Sequence, residues 1–195
     1  MTAEGIKYLQ SRIARFDDQK AYKELFTTLY TPLLLFAKSM VKSRESAEEI
    51  VSDVFIRIWE KRRDLEKIEN LKVYLYVSIR NTALNYLTHQ KRTVTNPLDE
   101  FHAEFTSIYF DPEQLLITAD MLALIRKSID QLPPKCKIIF KLVKEDGLKY
   151  KEVAEILNLS VKTVENQVAI ALQKIGNTVS FDVHKSVPFS VKNHS

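Results

Sequence analysis

Leu148-Lys149-Tyr150-Lys151-Glu152-Val153-Ala154-Glu155-Ile156-Leu157-Asn158-Leu159-Ser160-Val161-Lys162-Thr163-Val164-Glu165-Asn166-Gln167-Val168-Ala169-Ile170-Ala171-Leu172-Gln173-Lys174-Ile175 is the most specific stretch of the chain. Val153, Ile156 and Leu157 form the apolar side of a short helix, and Ala154 is small where a second helix has to cross closely. Asn158 tolerates a left-handed turn. Leu159 plugs that turn and Ser160 caps the next helix. Val161, Val164, Val168, Ala171, Leu172 and Ile175 are expected as the inner face of that helix. Lys162, Thr163, Glu165, Asn166, Gln167 and Ile170 are expected outward or near its exposed start. The small residue, the turn residue and the cap fall in register, which is the pattern of a helix-turn-helix; the plain alternative is a helical hairpin with a solvated face. In a helix-turn-helix, Asn166 and Gln167 are suited to adenine, and Lys162 and Lys174 to phosphate or guanine. Glu165 is suited to cytosine but repels phosphate.

Upstream of this stretch, apolar residues from Leu115 to Ile129 recur with helical spacing over Glu113–Asp130. Pro133 and Pro134 break that helix and start another, which carries Cys136, Ile138, Ile139, Phe140, Leu142 and Val143 and stops at Asp146-Gly147. Cys136 is the only cysteine, has no catalytic partner pattern around it, and is read as a packing residue.

The N-terminal half is also helical. Asp17 or Asp18 caps a helix through Tyr22, Leu25, Phe26, Leu29 and Tyr30 that passes Pro32 and ends near Val41. Ser43 or Ser46 opens the next one, and Ser46-Ala47-Glu48-Glu49 has the form of a capping box. Ala47, Ile50, Val51, Val54, Phe55 and Ile58 make its apolar stripe, with Trp59 near the end. The opposite face carries Glu48, Glu49, Ser52, Asp53, Arg57 and Glu60, which reads either as solvated surface or as a docking face for a basic or polar groove. A charged loop, residues 61–70, contains Lys61, Arg62 and Arg63, and Asn70 caps a helix reaching about Lys91. Leu71, Leu75, Ile79, Ala83 and Leu87 supply its core stripe. Tyr74, Tyr76, Arg80, Asn81, Asn85, Tyr86, His89, Lys91 and Arg92 are expected as an aromatic, donor-rich surface suited to unpaired bases and phosphates. Tyrosines at this spacing are as readily half-buried core.

Composition narrows the class. Among 195 residues there are 3 glycines and 6 prolines, too few glycines for a Gly-rich nucleotide loop and poor material for an all-β sandwich. With one cysteine no intramolecular disulfide forms, which suits a reducing compartment. His89, His102, His184 and His194 are scattered, so no metal site and no cofactor is expected, and no nucleophile or acid–base constellation suggests an enzyme. No apolar run is long enough to span a bilayer and the first residues lack a signal-peptide layout, so the expected location is cytoplasmic. The net charge of +4 is uneven: residues 1–92 carry +5, residues 93–112 carry −4 and residues 113–195 carry +3. The acidic stretch, with Pro97 and Pro112 and interspersed Phe101, Phe105, Tyr109 and Phe110, has no sustained period and reads as a flexible linker. The expected organisation is therefore all-α, with two small helical domains at 1–92 and 113–177, a linker at 93–112, and a disordered tail at 178–195.

Two motifs in this order resemble the extracytoplasmic-function (group IV) sigma factors of bacterial RNA polymerase, over roughly residues 17–177. The first half resembles sigma region two, through Leu25-Phe26-Thr27-Thr28-Leu29-Tyr30, Ala47 to Trp59, and Tyr74-Leu75-Tyr76-Val77-Ser78-Ile79-Arg80-Asn81. The second resembles region four, through Leu132-Pro133 to Phe140, Asp146-Gly147-Leu148, Thr163-Val164-Glu165-Asn166 and Ala171-Leu172. Tyr74 stands where the family often has Trp, Ser52 where Gln is common, and Ile170 where a basic residue is frequent. The resemblance implies a sigma factor that directs core polymerase to promoters and promotes initiation. Glu48, Glu49, Ser52, Asp53 and Arg57 would bind the clamp helices of the largest subunit. Lys61, Arg62, Arg63, Asn70, Tyr74, Arg80, Asn81, Asn85, Lys91 and Arg92 would read and hold the melted −10 region. Ser160, Lys162, Thr163, Glu165, Asn166, Gln167, Ile170 and Lys174 would read the −35-type element. The implied partners are core RNA polymerase (clamp helices and flap), promoter DNA and an anti-sigma factor. The alternative is a stand-alone, LuxR-like helix-turn-helix regulator whose N-terminal half senses or dimerises.

Overall fold

A computed structural model describes residues 1–41, 43–90 and 119–186. Among them the regular elements are all helical: α1 (Ala3–Phe16), α2 (Gln19–Met40), α3 (Arg44–Glu60), a 3-10 helix (Arg62–Lys67), α4 (Leu71–Gln90), α5 (Ala119–Asp130), α6 (Pro134–Lys144), α7 (Tyr150–Leu157) and α8 (Val161–Ser186). The expected linker, Lys91, Arg92 and the first turns of the helix expected from Glu113 lie outside the described residues.

Helix α1 precedes the point at which the sequence reading starts. Ile6, Leu9 and Ile13 recur at three and four and are buried, and the Thr2 hydroxyl accepts from the Gly5 amide. Its buried polar residue is Gln10, whose Nε2 donates to the carbonyls of Leu65, at 2.5 Å, and Ile68, at 2.8 Å. Asp17 takes the left-handed conformation that ends α1, and Asp18 caps α2 by accepting from the Lys20 and Ala21 amides. Helix α2 runs through Pro32 without restarting. Ser43, rather than Ser46, caps α3. Ser46 is already inside the first turn, so the capping box expected there does not form; its hydroxyl pairs with that of Tyr86 at 2.7 Å instead.

The segment 61–70, expected as a charged loop, is mostly a 3-10 helix. Its one apolar residue of the first five, Leu65, is 1% exposed and pins it to the core, while Gln10 satisfies two of its carbonyls. Arg15 pairs with Glu66 and Arg62 with Asp17, tying the same segment to α1 and its cap.

In the C-terminal body the turn chemistry matches the sequence. Pro134 occupies the first turn of α6, Gly147 has φ +66°, and Asn158 has φ 54° and ψ 52°. Ser160 Oγ accepts from the Thr163 amide at 3.0 Å. Helix α8 continues to Ser186, past the boundary expected at residue 177. Residues 178–186 contain no proline or glycine, and Pro188 comes only afterwards, so nothing local stops the helix earlier. Leu172 is 48% exposed, against the inner position expected for it. The buried row is Val164, Val168 and Ala171, and at 3.6 residues per turn Leu172 falls to its side.

Helix α6 is buried on more than one side. Cys136 and Phe140 pack with Ile129, Leu132 and Ala171 of their own body. Ile138, Ile139 and Leu142 join Leu148 and Val153 in a core continuous with that of the N-terminal body. The two bodies therefore meet through α6, α7 and the turn between them.

Candidate functional site

The outward face of α3 is centred on Glu49, Ser52, Asp53, Ile56 and Glu60, with Glu48 and Arg57 on its two flanks. Glu49, Ser52, Asp53 and Arg57 are exposed and Glu48 is half-buried, so the expected protein-docking residues do share one surface. Asp53 and Arg57 are 4.0 Å apart, and Glu48 accepts from Arg44 at 2.7 Å. The sequence reading omitted Ile56, which is 54% exposed in the middle of this acidic face. Its signal was its failure to fit the apolar stripe at 47, 50, 51, 54, 55 and 58. Behind the face, Trp59 packs on Tyr22 with ring centroids 4.9 Å apart, and the Arg62 guanidinium lies over the Trp59 ring, 4.7 Å from its centroid.

The second feature is a cleft of about 400 Å³ between the end of α3, the 3-10 helix and the start of α4. Arg57, Lys61, Asp64, Lys67, Tyr74 and Ser78 line it over a floor of Val54, Ile58 and Leu65, and Lys67 is paired with Asp64 at 2.6 Å. Tyr74 is 43% exposed there, so an aromatic edge, basic side chains and a hydroxyl converge on one concave place. Lys67 and Ser78 were not among the expected residues; folding of the 3-10 helix brings Lys67 round to Tyr74. Asn81 and Asn85 are exposed and lie along the same side of α4 as Tyr74.

Three expected residues are placed differently. Arg62 is turned inward, donating to Asp17 and, at 3.0 Å, to the Trp59 carbonyl. Arg80 is half-buried about a third of a turn from Tyr74, and burial lowers its pKa. Tyr76, expected on the aromatic surface, is fully buried. Its ring meets Phe36 edge-on at 5.1 Å and its hydroxyl donates to Asp146 Oδ2 at 2.8 Å. The turn between α6 and α7 covers it, which periodicity within α4 does not reveal. Arg63 and Asn70 are exposed, and Asn70 caps α4 by accepting from the Val73 amide at 3.2 Å. Lys91 and Arg92 fall outside the described residues.

The third feature is the outer arc of α8. Lys162, Asn166 and Ile170 are exposed on the side away from the buried row, with Lys174 exposed and Thr163 half-buried on the flank next to them. Exposed Ser160 sits at the start, its hydroxyl 2.8 Å from that of Thr163. Glu165 and Gln167 are half-buried on opposite flanks. Glu165 faces Lys162 at 3.4 Å, and the Gln167 carbonyl accepts from the Cys136 thiol at 3.3 Å. Cys136 is buried, as a packing residue should be. Among the described residues no helix is long and apolar enough to cross a membrane.

Comparison with known proteins is consistent with this geometry. Residues 25–93 match the family model for sigma-70 region 2, and residues 122–175 match that for sigma-70, region 4. The chain is 27% identical over 169 residues to the ECF RNA polymerase sigma-E factor of Escherichia coli (strain K12), covering 83% of this chain and 88% of that one. It is 26% identical over 171 residues to the protein of the same description from Haemophilus influenzae, covering 83% and 89%. Among solved structures it resembles the sigma factor RpoE in complex with the anti-sigma factor NepR from Bartonella quintana. The TM-score there is 0.53 at 22% identity, over 84% of this chain and 99% of that one. It also resembles CnrH in complex with the cytosolic domain of CnrY, at TM-score 0.53 and 19% identity, over 91% and 99%.

Proposed function

The chain belongs to the sigma-70 family, and we propose that each of its three surfaces carries one step of promoter-directed initiation. Region two docks core polymerase through Glu48, Glu49, Ser52, Asp53, Ile56 and Arg57. An acidic face with one exposed isoleucine at its centre combines charge steering with an apolar anchor, and the anchor supplies most of the residence time. The cleft at Tyr74 takes a base unstacked from the melted −10 strand, with Lys61 beside the phosphates and Asn81 and Asn85 along the strand's path. The outer arc of α8 enters the major groove of the −35-type element, where Asn166 reads a base edge and Lys162 and Lys174 neutralise phosphate.

The protein is a non-catalytic factor on this reading; polymerisation belongs to its partner, in the cytoplasm where polymerase works. Each DNA contact is weak alone. Joined by residues 93–112 and held on polymerase, they reinforce one another through effective concentration. Domains spanning 1–92 and 113–177 suit this division of labour, as does an anti-sigma partner of the kind bound by RpoE of Bartonella quintana. The single observation that carries the proposal is that both sigma modules occur in order in one chain. The stand-alone regulator reading lacks support, because its sensing half is the sigma region-two match.

The test is a pull-down with core RNA polymerase followed by transcription-start mapping. The protein is expected to bind core polymerase and to produce a discrete promoter set. Asn166→Ala should cut use of promoters by upstream sequence, while Tyr74→Ala should leave upstream binding intact and reduce melting. Failure to bind core polymerase would end the proposal.

A further inference from the structure

One apolar side chain interrupts the polar outer strip of α8. Lys162, Asn166 and Ile170 follow one another at four-residue intervals, which at ~1.5 Å per residue makes a strip about 12 Å long. Ile170 is 40% exposed on it. Val164, Val168 and Ala171, at most 1% exposed, hold the helix to its body, and Ile170 takes no part in that row. The polar groups around it are engaged to different degrees. Glu165 faces Lys162 at 3.4 Å, and the Ser160 and Thr163 hydroxyls lie 2.8 Å apart. Asn166, one turn before Ile170, is exposed on the same strip.

The left-handed turn at Asn158 and the Ser160 cap give α8 the placement of a recognition helix, so the strip faces a major groove. The groove floor offers donors and acceptors at every base pair but one kind of apolar group, the 5-methyl of thymine. Isoleucine gains only from that methyl; over a guanine edge it would strip water from acceptors without bonding them. A basic side chain at this place would favour guanine, so isoleucine exchanges that preference for thymine. Helix rise sets Ile170 about 6 Å beyond Asn166, which spans one or two base pairs at ~3.4 Å each.

We propose that Ile170 is a specificity-determining residue of the upstream contact, and that it reads a thymine 5-methyl one or two base pairs from the adenine read by Asn166. The proposal rests on the sigma reading above and narrows it: the upstream element carries two A·T pairs within a window of about three base pairs. Asn166 supplies the hydrogen-bonded half of the readout and Ile170 the apolar half.

The experiment uses holoenzyme assembled from the full chain and core RNA polymerase, with transcription starts mapped first. The upstream element of one mapped promoter is then randomised, and transcripts are sequenced for wild type, Ile170→Val, Ile170→Ala and Asn166→Ala. Wild type should enrich adenine and thymine at two positions about one or two base pairs apart. Ile170→Ala should flatten the thymine position and keep the adenine one, and Asn166→Ala should do the reverse. Ile170→Val keeps a branched methyl in place and should retain the thymine preference. Uracil lacks only the methyl of thymine. Placed at that position, it should cut wild-type output at subsaturating holoenzyme about fourfold, the effect of burying one methyl group, and leave Ile170→Ala output unchanged. Because Ile170 is exposed, these variants should melt with the wild type, so the readout reports recognition rather than folding. A uracil template used as well as the thymine one would overturn the proposal, as would an Ile170→Ala profile identical to that of wild type. So would an Ile170→Ala protein that captures less core polymerase and weakens every template alike, which marks a protein contact instead. Mapped starts without a thymine effect would overturn the proposal alone, whereas the absence of any promoter-dependent transcript would overturn the sigma reading and the proposal with it.

Discussion

Replacing Gln10 by leucine isolates how the cleft is held in shape. Gln10 is 4% exposed, and its amide donates to two carbonyls of the segment that forms one wall of the cleft. Leucine is close in volume, so no large cavity opens, but the Leu65 and Ile68 carbonyls lose their donor. Two hydrogen bonds at a net ~1 kcal/mol each give about 2 kcal/mol. Carbonyls left buried add to that, and the extra apolar burial of leucine offsets part of it. For a chain of this size the melting temperature should fall by about 4–8 °C. Arg15→Ala removes only the exposed pair with Glu66, and should cost less than about 1 kcal/mol. Thermal melts followed by circular dichroism give the global figure, and hydrogen exchange of the 65–70 amides gives the local one. Functionally, Gln10→Leu should reduce promoter melting, read by permanganate reactivity, more than it reduces capture of core polymerase. A Gln10→Leu protein that melts within about 1 °C of wild type, with its 65–70 amides still protected, would refute this account of the cleft.

Ile56→Ala should weaken core polymerase binding about tenfold without lowering the melting temperature, since the residue is 54% exposed; the neighbouring core change Ile58→Ala should cost ~2–5 kcal/mol of stability, and equal effects in both assays would count against a docking role for Ile56. Asn158→Ala should cost about 1–2 kcal/mol because φ is 54°, whereas Asn158→Gly should be nearly neutral, as chemical denaturation can measure. Stability should also depend on pH through Glu145, whose carboxyl burial pushes up to about 7 against an ordinary 4.5. Lys141 and Lys137 pull it back down and Asp146 and Asp130 push it further up, while Pro32, Leu35 and Phe36 of α2 line the crevice it shares. A raised pKa means the folded form holds the proton more tightly, so this contribution is complete below about pH 4.5 and is lost as pH rises through about 7. Thermal melts should therefore show a less stable fold at pH 8 than at pH 6, and Glu145→Gln should flatten that slope; an identical slope in both proteins would contradict the assignment.

Residues whose role depends on neighbours close in sequence were legible in advance. Asn158, Ser160, Gly147 and Pro134 each do what backbone sterics and local hydrogen bonding predict for them. The faces of α3 and α8 followed from a period of 3.6, apart from Ile56 and Leu172, where the arc was drawn one residue off. Helix α1 went unread although Ile6, Leu9 and Ile13 carry the period, because a short stripe without a matching motif resembles many solvated segments. Arg62, Tyr76 and Gln10 were not legible. Their partners are Asp17, Asp146, Leu65 and Ile68, which lie between 45 and 70 positions away.

The sequence by itself determined that this chain is helical, that it carries a helix-turn-helix, and that two basic bodies flank an acidic stretch. Helical period, capping and turn conformation are short-range properties, so single stretches of chain suffice to specify them. Only the tertiary structure decided which side of α4 remains exposed, and that the 61–70 segment is mostly a 3-10 helix rather than a loop. It also decided that region four rests on region two through Asp146. Those outcomes depend on which distant groups satisfy one another's hydrogen bonds out of water, and the pattern of any one helix does not contain that information.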